Sequence, residues 1–326
     1  MRAVRCKTLG GPADLTVEEI DPPELTPGGV RIAVRAAGVN FADTLIIAGQ
    51  YQIKPPLPFT PGFEIAGEVV ECAAGVTRCK VGERVLAVVG HGGFAEEVVA
   101  AESEVHPLPD AVDNVTAAAF PVAYGTSHFG LKYKAHLSAG EVLLVHGAAG
   151  GVGLTAVEVA KRLGATVIAT AGGADKLAVA AEYGALHLID YHTEDIREKV
   201  KEITGGRGAD VVYDPVGGTV FDASLRCTAA GGRILVVGFA SGTIPQIPAN
   251  ILLVKNLTVI GYTWAPHRQL APETMNASFT ELLTWLAEGK IRPHVSRTYP
   301  LEQAREALDA LRARRSTGKI VLTINR

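Results

Sequence analysis

Cysteine is scarce in this sequence: four thiols, Cys6, Cys72, Cys79 and Cys227, lie far apart in 326 residues. That excludes the dense disulfide framework of small secreted domains and predicts reduced thiols. Charge of one sign is lacking too, since 31 basic and 34 acidic residues are mixed along the chain for a net charge of −3. No basic patch marks a nucleic-acid partner, and the Arg312, Arg314, Arg315 run reads as a solvated helix face. Long apolar runs are missing as well. Met1–Lys7 carries Arg2, Arg5 and Lys7 with no apolar segment after it, so neither a secretory signal nor membrane insertion is expected and the location is predicted to be cytoplasmic. Aromatics make up only 6%.

What is abundant is glycine, 36 residues, within a composition that is 48% hydrophobic and 20% charged. This is the profile of a compact α/β protein, long enough for two domains. The first hundred residues alternate short β-rich runs with Pro and Gly, as in 29–36, 64–71 and 83–88, which predicts an antiparallel, barrel-like domain. From about Val122 the pattern changes to strand-helix-strand units. Strands are predicted at 141–146, 166–170, 187–190, 209–214, 233–237 and 257–261, with helices at 152–163, 175–183, 193–204 and 220–228. After Gly261 the strand-helix-strand alternation stops. Helices are expected at 279–288 and 301–314, and a closing strand at 318–323 rejoins the first domain. The expected division is residues 1–122 and 263–326 for one domain, with residues 123–262 inserted into it.

The segment Gly147-Ala148-Ala149-Gly150-Gly151-Val152-Gly153 follows an apolar strand and opens a helix. Glycines at such a turn let the backbone approach a pyrophosphate, which the free N–H groups of the helix N-terminus then bind. An NAD-preferring site places an acid about 20 residues later, on the ribose. Here Thr170-Ala171-Gly172-Gly173 stands instead, with Lys176 just beyond, so NADPH is favoured. Asp175 reads as a helix N-cap rather than a ribose ligand. Of the histidines, His91, His128, His146 and His267 make no metal-type spacing, and His146 is expected to pack beneath the glycine turn.

Together with Ala37-Gly38-Val39-Asn40-Phe41-Ala42-Asp43 and Pro61-Gly62-Phe63-Glu64-Ile65-Ala66-Gly67-Glu68-Val69, these features resemble the medium-chain dehydrogenase/reductases over essentially the whole chain. The resemblance implies a Rossmann-type doubly wound parallel sheet inserted into a GroES-like, mostly antiparallel β-barrel catalytic domain. In the family's alcohol dehydrogenases the two quoted segments carry zinc ligands. Here the cysteine position is Asn40 and the histidine position Phe63, and no cysteine lies in 121–126. No metal site is expected. Without a Lewis acid to stabilise an alkoxide, alcohol oxidation is disfavoured, whereas an electron-poor acceptor can take hydride with help from hydrogen bonds. The zinc-free quinone oxidoreductase branch, including its crystallin-like members, has this form.

That resemblance implies Asn40 and Asp43 at the nicotinamide end, with Tyr51 beside the substrate opening; a second reading has Asn40 and Asp43 only bracing the loop. It assigns Thr126, Ala149, Gly150, Gly151, Val152 and Gly153 to the cofactor, Gly172, Lys176 and Tyr191 to the adenosine phosphate, and Val216, Gly238, Phe239 and Ala240 to the loops passing the cofactor. Residues 45–56 and 263–274 are candidate pocket walls. The expected substrate is a quinone; reduction of a conjugated enone or enoyl thioester, or NADPH binding without turnover, are the alternatives. A homodimer through the edge strand Asn256–Tyr262 is expected, because an unpaired edge exposes backbone donors and acceptors.

Overall fold

The computed structural model describes residues 1–325. The chain divides into two compact units, Met1–Val122 with Arg292–Arg326, and Ala123–Ile291.

In the first unit, β1 (Arg2–Cys6) and β2 (Leu15–Glu19) form a two-stranded antiparallel ribbon. A seven-stranded sheet is built from β3 (Gly29–Val39), β4 (Glu64–Cys72), β5 (Arg84–Val88), β6 (Glu97–Ala101) and β7 (Val105–Pro107), and from two strands near the C-terminus, β14 (Val295–Pro300) and β15 (Lys319–Thr323). Its path runs β14-β15-β3-β4-β5-β7, with β6 also pairing with β3. All its ladders are antiparallel except β14 with β15. Val30, Ile32 and Val34 alternate along β3 into an apolar core that also takes in Ile65, Val85, Ile320 and Leu322. Burying each such side chain contributes about 1.5–3 kcal/mol.

The second unit holds a six-stranded sheet of β8 (Val142–Val145), β9 (Thr166–Ala171), β10 (His187–Asp190), β11 (Ala209–Asp214), β12 (Thr228–Val236) and β13 (Thr258–Gly261). All its ladders are parallel, in the order β10-β9-β8-β11-β12-β13. Counted within the unit, that is 3-2-1-4-5-6, the dinucleotide-binding order, whose switch point lies between its first and fourth strands. Leu143, Leu144 and Val145 are fully buried; a strand with helices on both faces has no reason to alternate.

Several expectations need correction. The second division falls after Ile291, not after Tyr262. Residues 263–291 pack on the nucleotide unit: the Trp264 ring lies where a Cβ on Gly125 would be, and His128 Nδ1 pairs with Ser278 Oγ at 2.7 Å. The helix expected at 279–288 is Pro272–Ala287, opening on a proline in its first turn, where the missing N–H costs nothing. The helix expected to start at Thr193 is Ile196–Ile203, because Asp195 caps it by accepting from Glu198 N at 2.9 Å. Asp175 is not an N-cap: Gly173, at φ +94°, holds that place and Asp175 lies in the first turn. Strand β12 begins five residues before the expected Arg233.

Candidate active site

In the first unit, β3 ends at Val39 and Asn40 caps the short helix Phe41–Ile47. Asp43, in that helix's first turn and fully buried, reaches back: its Oδ2 accepts from Asn40 N at 2.7 Å and its Oδ1 from Gly62 N at 3.0 Å. Gly62 has φ +102°, and a Cβ there would lie 2.7 Å from Phe94 N, so glycine is required to bring that amide onto the carboxylate. Burial pushes the Asp43 carboxyl up to about 7, against the pull of its two amide donors and of the Lys319 charge. Burial also raises the Tyr51 phenol, and the Asp43 charge adds to that. The Tyr51 ring meets Phe63 edge-on at 5.6 Å.

Two residues that sequence reasoning did not single out complete the cluster. Glu64, 0% exposed, accepts at Oε1 from Asn40 Nδ2 at 2.8 Å and from Lys319 Nζ at 2.7 Å, and at Oε2 from Val122 N at 2.7 Å. Lys319, 5% exposed, gives its other two hydrogens to Val39 O at 2.9 Å and Asn40 Oδ1 at 2.6 Å. Gly38 makes the room, since a Cβ there would sit 2.5 Å from Glu64 Oε1. The signal for Lys319 was a lysine opening an otherwise apolar strand, Lys319-Ile320-Val321-Leu322. The cation held between these two segments is an ammonium. They do not fit zinc: Phe63 offers no donor atom, Asn40 is engaged by Lys319 and Glu64, and among the described residues no three His, Cys, Asp or Glu side chains gather as ligands.

In the second unit the glycine turn joins β8 to the helix Gly151–Arg162, with Gly150 as N-cap. Gly147 has φ +57°, and a Cβ on Gly153 would lie 2.2 Å from Gly147 O, so the first helical turn seats directly on the loop. Ala148 N is tied to Thr170 O at 3.0 Å and Gly150 N to Gly147 O at 2.9 Å. The N–H groups of Gly151, Val152 and Gly153 have no acceptor within the helix and face its N-terminal end, as an anion requires. Beneath the turn, buried His146 pairs through Nδ1 with Thr170 Oγ1 at 3.0 Å and through Nε2 with Ser224 Oγ at 2.8 Å. Ser224 donates to Val220 O, so Nε2–H is the donor to Ser224 and Nδ1 accepts from Thr170. Burial lowers the His146 pKa, against the nearby Asp214 charge. This is a neutral bracing histidine.

Asp214 ends β11 and holds the next loop by accepting at Oδ1 from Val216 N at 2.7 Å and Gly217 N at 2.9 Å. Val216 comes close to the glycine turn, since a Cβ on Gly147 would lie 3.3 Å from its Cγ2. The loop after β12 runs alongside: Gly238 N and Ala240 N donate to Asp214 O and Pro215 O, and Phe239 remains 38% exposed. At the end of β9, a Cβ on Gly172 would lie 2.8 Å from the Tyr191 hydroxyl and 2.4 Å from His192 Nε2. Tyr191 and His192 are both exposed and meet edge-on at 4.7 Å. Lys176 follows in the first turn of Ala174–Tyr183. Asp190, at the end of the neighbouring strand, accepts from His192 N at 3.0 Å, and this bond keeps its carboxyl below the usual range. Thr126 is buried, its carbonyl accepting from the Tyr262 hydroxyl at 3.1 Å. The cofactor residues expected from the sequence thus gather at the carboxyl ends of the parallel strands, where this fold binds ligands, except that Thr126 sits on the helix Pro121–His128.

Comparison with known proteins bears on the family and the fold. Residues 26–110 match the alcohol dehydrogenase GroES-like domain and residues 151–287 the zinc-binding dehydrogenase family. The chain is 44% identical over 324 residues to a quinone oxidoreductase-like protein 2 homolog of Nematostella vectensis, covering 98% of this chain and 88% of that protein. It is 37% identical to a quinone oxidoreductase of Pseudomonas aeruginosa, covering 98% and 99% of the two chains. The Escherichia coli quinone oxidoreductase complexed with NADPH superposes with a TM-score of 0.93 at 33% identity, covering 99% of this chain and all of that one. With ligand positions that cannot hold zinc and relatives of this extent, the chain belongs to the zinc-free quinone oxidoreductase branch of the medium-chain dehydrogenase/reductase family.

Proposed function

We propose that this protein is an NADPH-dependent, zinc-independent quinone oxidoreductase. The observation that carries the reading is a phosphate-ready helix N-terminus at Gly150–Gly153 in a chain whose Asn40 and Phe63 stand where metal ligands would be. Bound NADPH would supply a hydride to the quinone. Gly151, Val152 and Gly153 would hold the pyrophosphate through backbone N–H groups; Gly172, Lys176 and Tyr191 would hold the adenosine phosphate. Val216 and the Gly238–Ala240 loop would flank the rest of the cofactor, with Thr126 and Ala149 beside it. Asn40, Asp43 and Tyr51 would line the nicotinamide end and the substrate opening, supplying orientation and exclusion of water.

Purified protein, treated with chelator and mixed with NADPH and 1,4-benzoquinone, is expected to consume the reduced-nicotinamide absorbance. Turnover that needs added zinc, or oxidation of simple alcohols in place of quinone reduction, would overturn the reading. Lys176→Ala is expected to weaken NADPH binding about tenfold and NADH binding little, as loss of one charge-assisted contact to a phosphate would; equal losses for both would remove the 2′-phosphate assignment.

The same proposal includes a cytoplasmic homodimer. β13 pairs only with β12 among the described residues, and the helix preceding it exposes Leu253 and Val254, each at least three-quarters exposed. Pairing of β13 with its copy would satisfy the open edge and cover these side chains. No helix is long and apolar enough to cross a membrane among the described residues. Sedimentation of the protein as a monomer at micromolar concentration would refute the dimer.

A further inference from the structure

We propose that Lys319 is a positioning residue of this site: its ammonium fixes which way round the Asn40 amide stands, and so makes Asn40 a hydrogen-bond donor to whatever lies against it. This deepens the quinone oxidoreductase reading and rests on its placing Asn40 beside the nicotinamide.

An ammonium has three hydrogens and no acceptor, and Lys319 directs them at Val39 O, Asn40 Oδ1 and Glu64 Oε1. The Asn40 atom 2.6 Å from that ammonium must therefore be the amide oxygen. The opposite face agrees, since Nδ2 stands 2.8 Å from the Glu64 carboxylate, which only accepts. Lys319 on one side and Glu64 on the other thus impose the same orientation, and their own contact closes the triangle. Turning the amide over would set oxygen against carboxylate and NH2 against ammonium, two repulsive contacts in a buried place.

The arrangement leaves one asymmetry. Asn40 Oδ1 is occupied by a charge-assisted bond, whereas Nδ2 commits one hydrogen to Glu64 and holds the other only in a long 3.4 Å contact to Gly38 O. That second N–H is the group Asn40 has left to offer, in a residue that is 9% exposed. A carboxamide or quinone carbonyl oxygen suits it, and an N–H on the ligand does not. The remaining ionisable neighbour, Asp43, engages the backbone N–H of Asn40 and Gly62 and does not compete for the side chain.

The test removes both charges together, because Lys319→Met alone would strand the Glu64 carboxylate. In Lys319→Met/Glu64→Gln the proposal expects kcat, normalised to NADPH-binding stoichiometry, to fall at least about tenfold while KM for NADPH stays within about threefold, the signature of lost orientation. A folded double variant with kcat within about twofold of wild type overturns it. If the double variant does not fold, Lys319→Arg decides instead, since it keeps the positive charge with a different donor geometry. There the proposal expects a protein of wild-type NADPH affinity with kcat at least about fivefold lower, and unchanged kcat overturns it. Wild-type protein assayed alongside tests the activity itself. Should it bind NADPH and reduce no quinone, the functional reading fails, while a neutron structure of either folded variant, which distinguishes amide oxygen from NH2, still judges Lys319: an Asn40 amide turned over or displaced upholds the proposal, and one in its wild-type orientation overturns it.

Discussion

Three carboxylates are fully buried, Asp43 and Glu64 in the first unit and Asp214 in the second, and the last two are treated in opposite ways. Glu64 has every oxygen spoken for, by an ammonium, a side-chain amide and a backbone amide. Among the described residues Asp214 has no cation bonded to it: two backbone N–H groups share Oδ1, and Oδ2 has no hydrogen-bond partner. These two carboxylates therefore keep their surroundings in shape by different means. Glu64 relies on side chains and a compensating charge besides one backbone amide; Asp214 relies on backbone amides in a tight loop, where the peptide geometry carries the arrangement and one acceptor atom is left over.

Removing the compensating charge strikes the first of these hardest. Lys319→Met is expected to cost about 3–5 kcal/mol in denaturant unfolding, the penalty of an uncompensated buried charge. Lys319→Met/Glu64→Gln should recover much of that loss; a double variant no more stable than the single one would mean that Lys319 serves packing and not charge. In the second unit the equivalent injury is to the backbone. Gly153→Val drives a Cβ into Gly147 O and should weaken NADPH binding by well over tenfold in a fluorescence titration, with wild-type affinity refuting the seating of the helix on the turn.

Within the first unit, pH tests the carboxyl held by amides. Asp43 has amide donors like Asp214, and burial holds its folded-state pKa at about 7, above an unfolded value of roughly 3.9. Between those values the folded state binds the extra proton, so this carboxyl's contribution is fully present below about 4 and is lost as pH rises toward 7. The stability of wild type relative to Asp43→Asn is therefore expected to decline across that window and level off above it; a difference flat from about pH 4 to 7 would show Asp43 ionised throughout. The smallest expected effect is at Asp214. Asp214→Asn keeps Oδ1 as acceptor for Val216 and Gly217 and should change stability by about 1 kcal/mol, within the range of a single neutral hydrogen bond, whereas a loss like that of Lys319→Met would mean that the loop depends on its charge.

Much of the fold was legible because its signals are local. β10 and β11 lie where apolar runs end in polar punctuation, and the glycine turn announces its own conformation. Misplaced boundaries trace to local chemistry as well: Gly231 and Gly232 look like punctuation yet lie inside β12, and Asp195 rather than Thr193 caps its helix. The segments proposed to hold the nucleotide are short and consecutive, so their place at the strand ends was readable for the same reason. Lys319 was not, because its meaning comes from Asn40 and Glu64, 279 and 255 positions away. Asn40 was placed at the site, but only its partners reveal that its amide oxygen is already committed.

That separation also sets an order of events in synthesis. Ala123–Ile291 is one uninterrupted stretch, so all of its residues are available to one another once Ile291 has been made. Those of the other unit are not. Glu64 leaves the ribosome early and waits for its counter-charge until nearly the whole chain has followed, so the nucleotide unit is complete while its companion still holds an unmatched acid. A nascent chain stalled before Lys319 would therefore carry a finished parallel-sheet unit while the Glu64 cluster is still incomplete, and limited proteolysis of such stalled chains should cut the first segment while sparing the second.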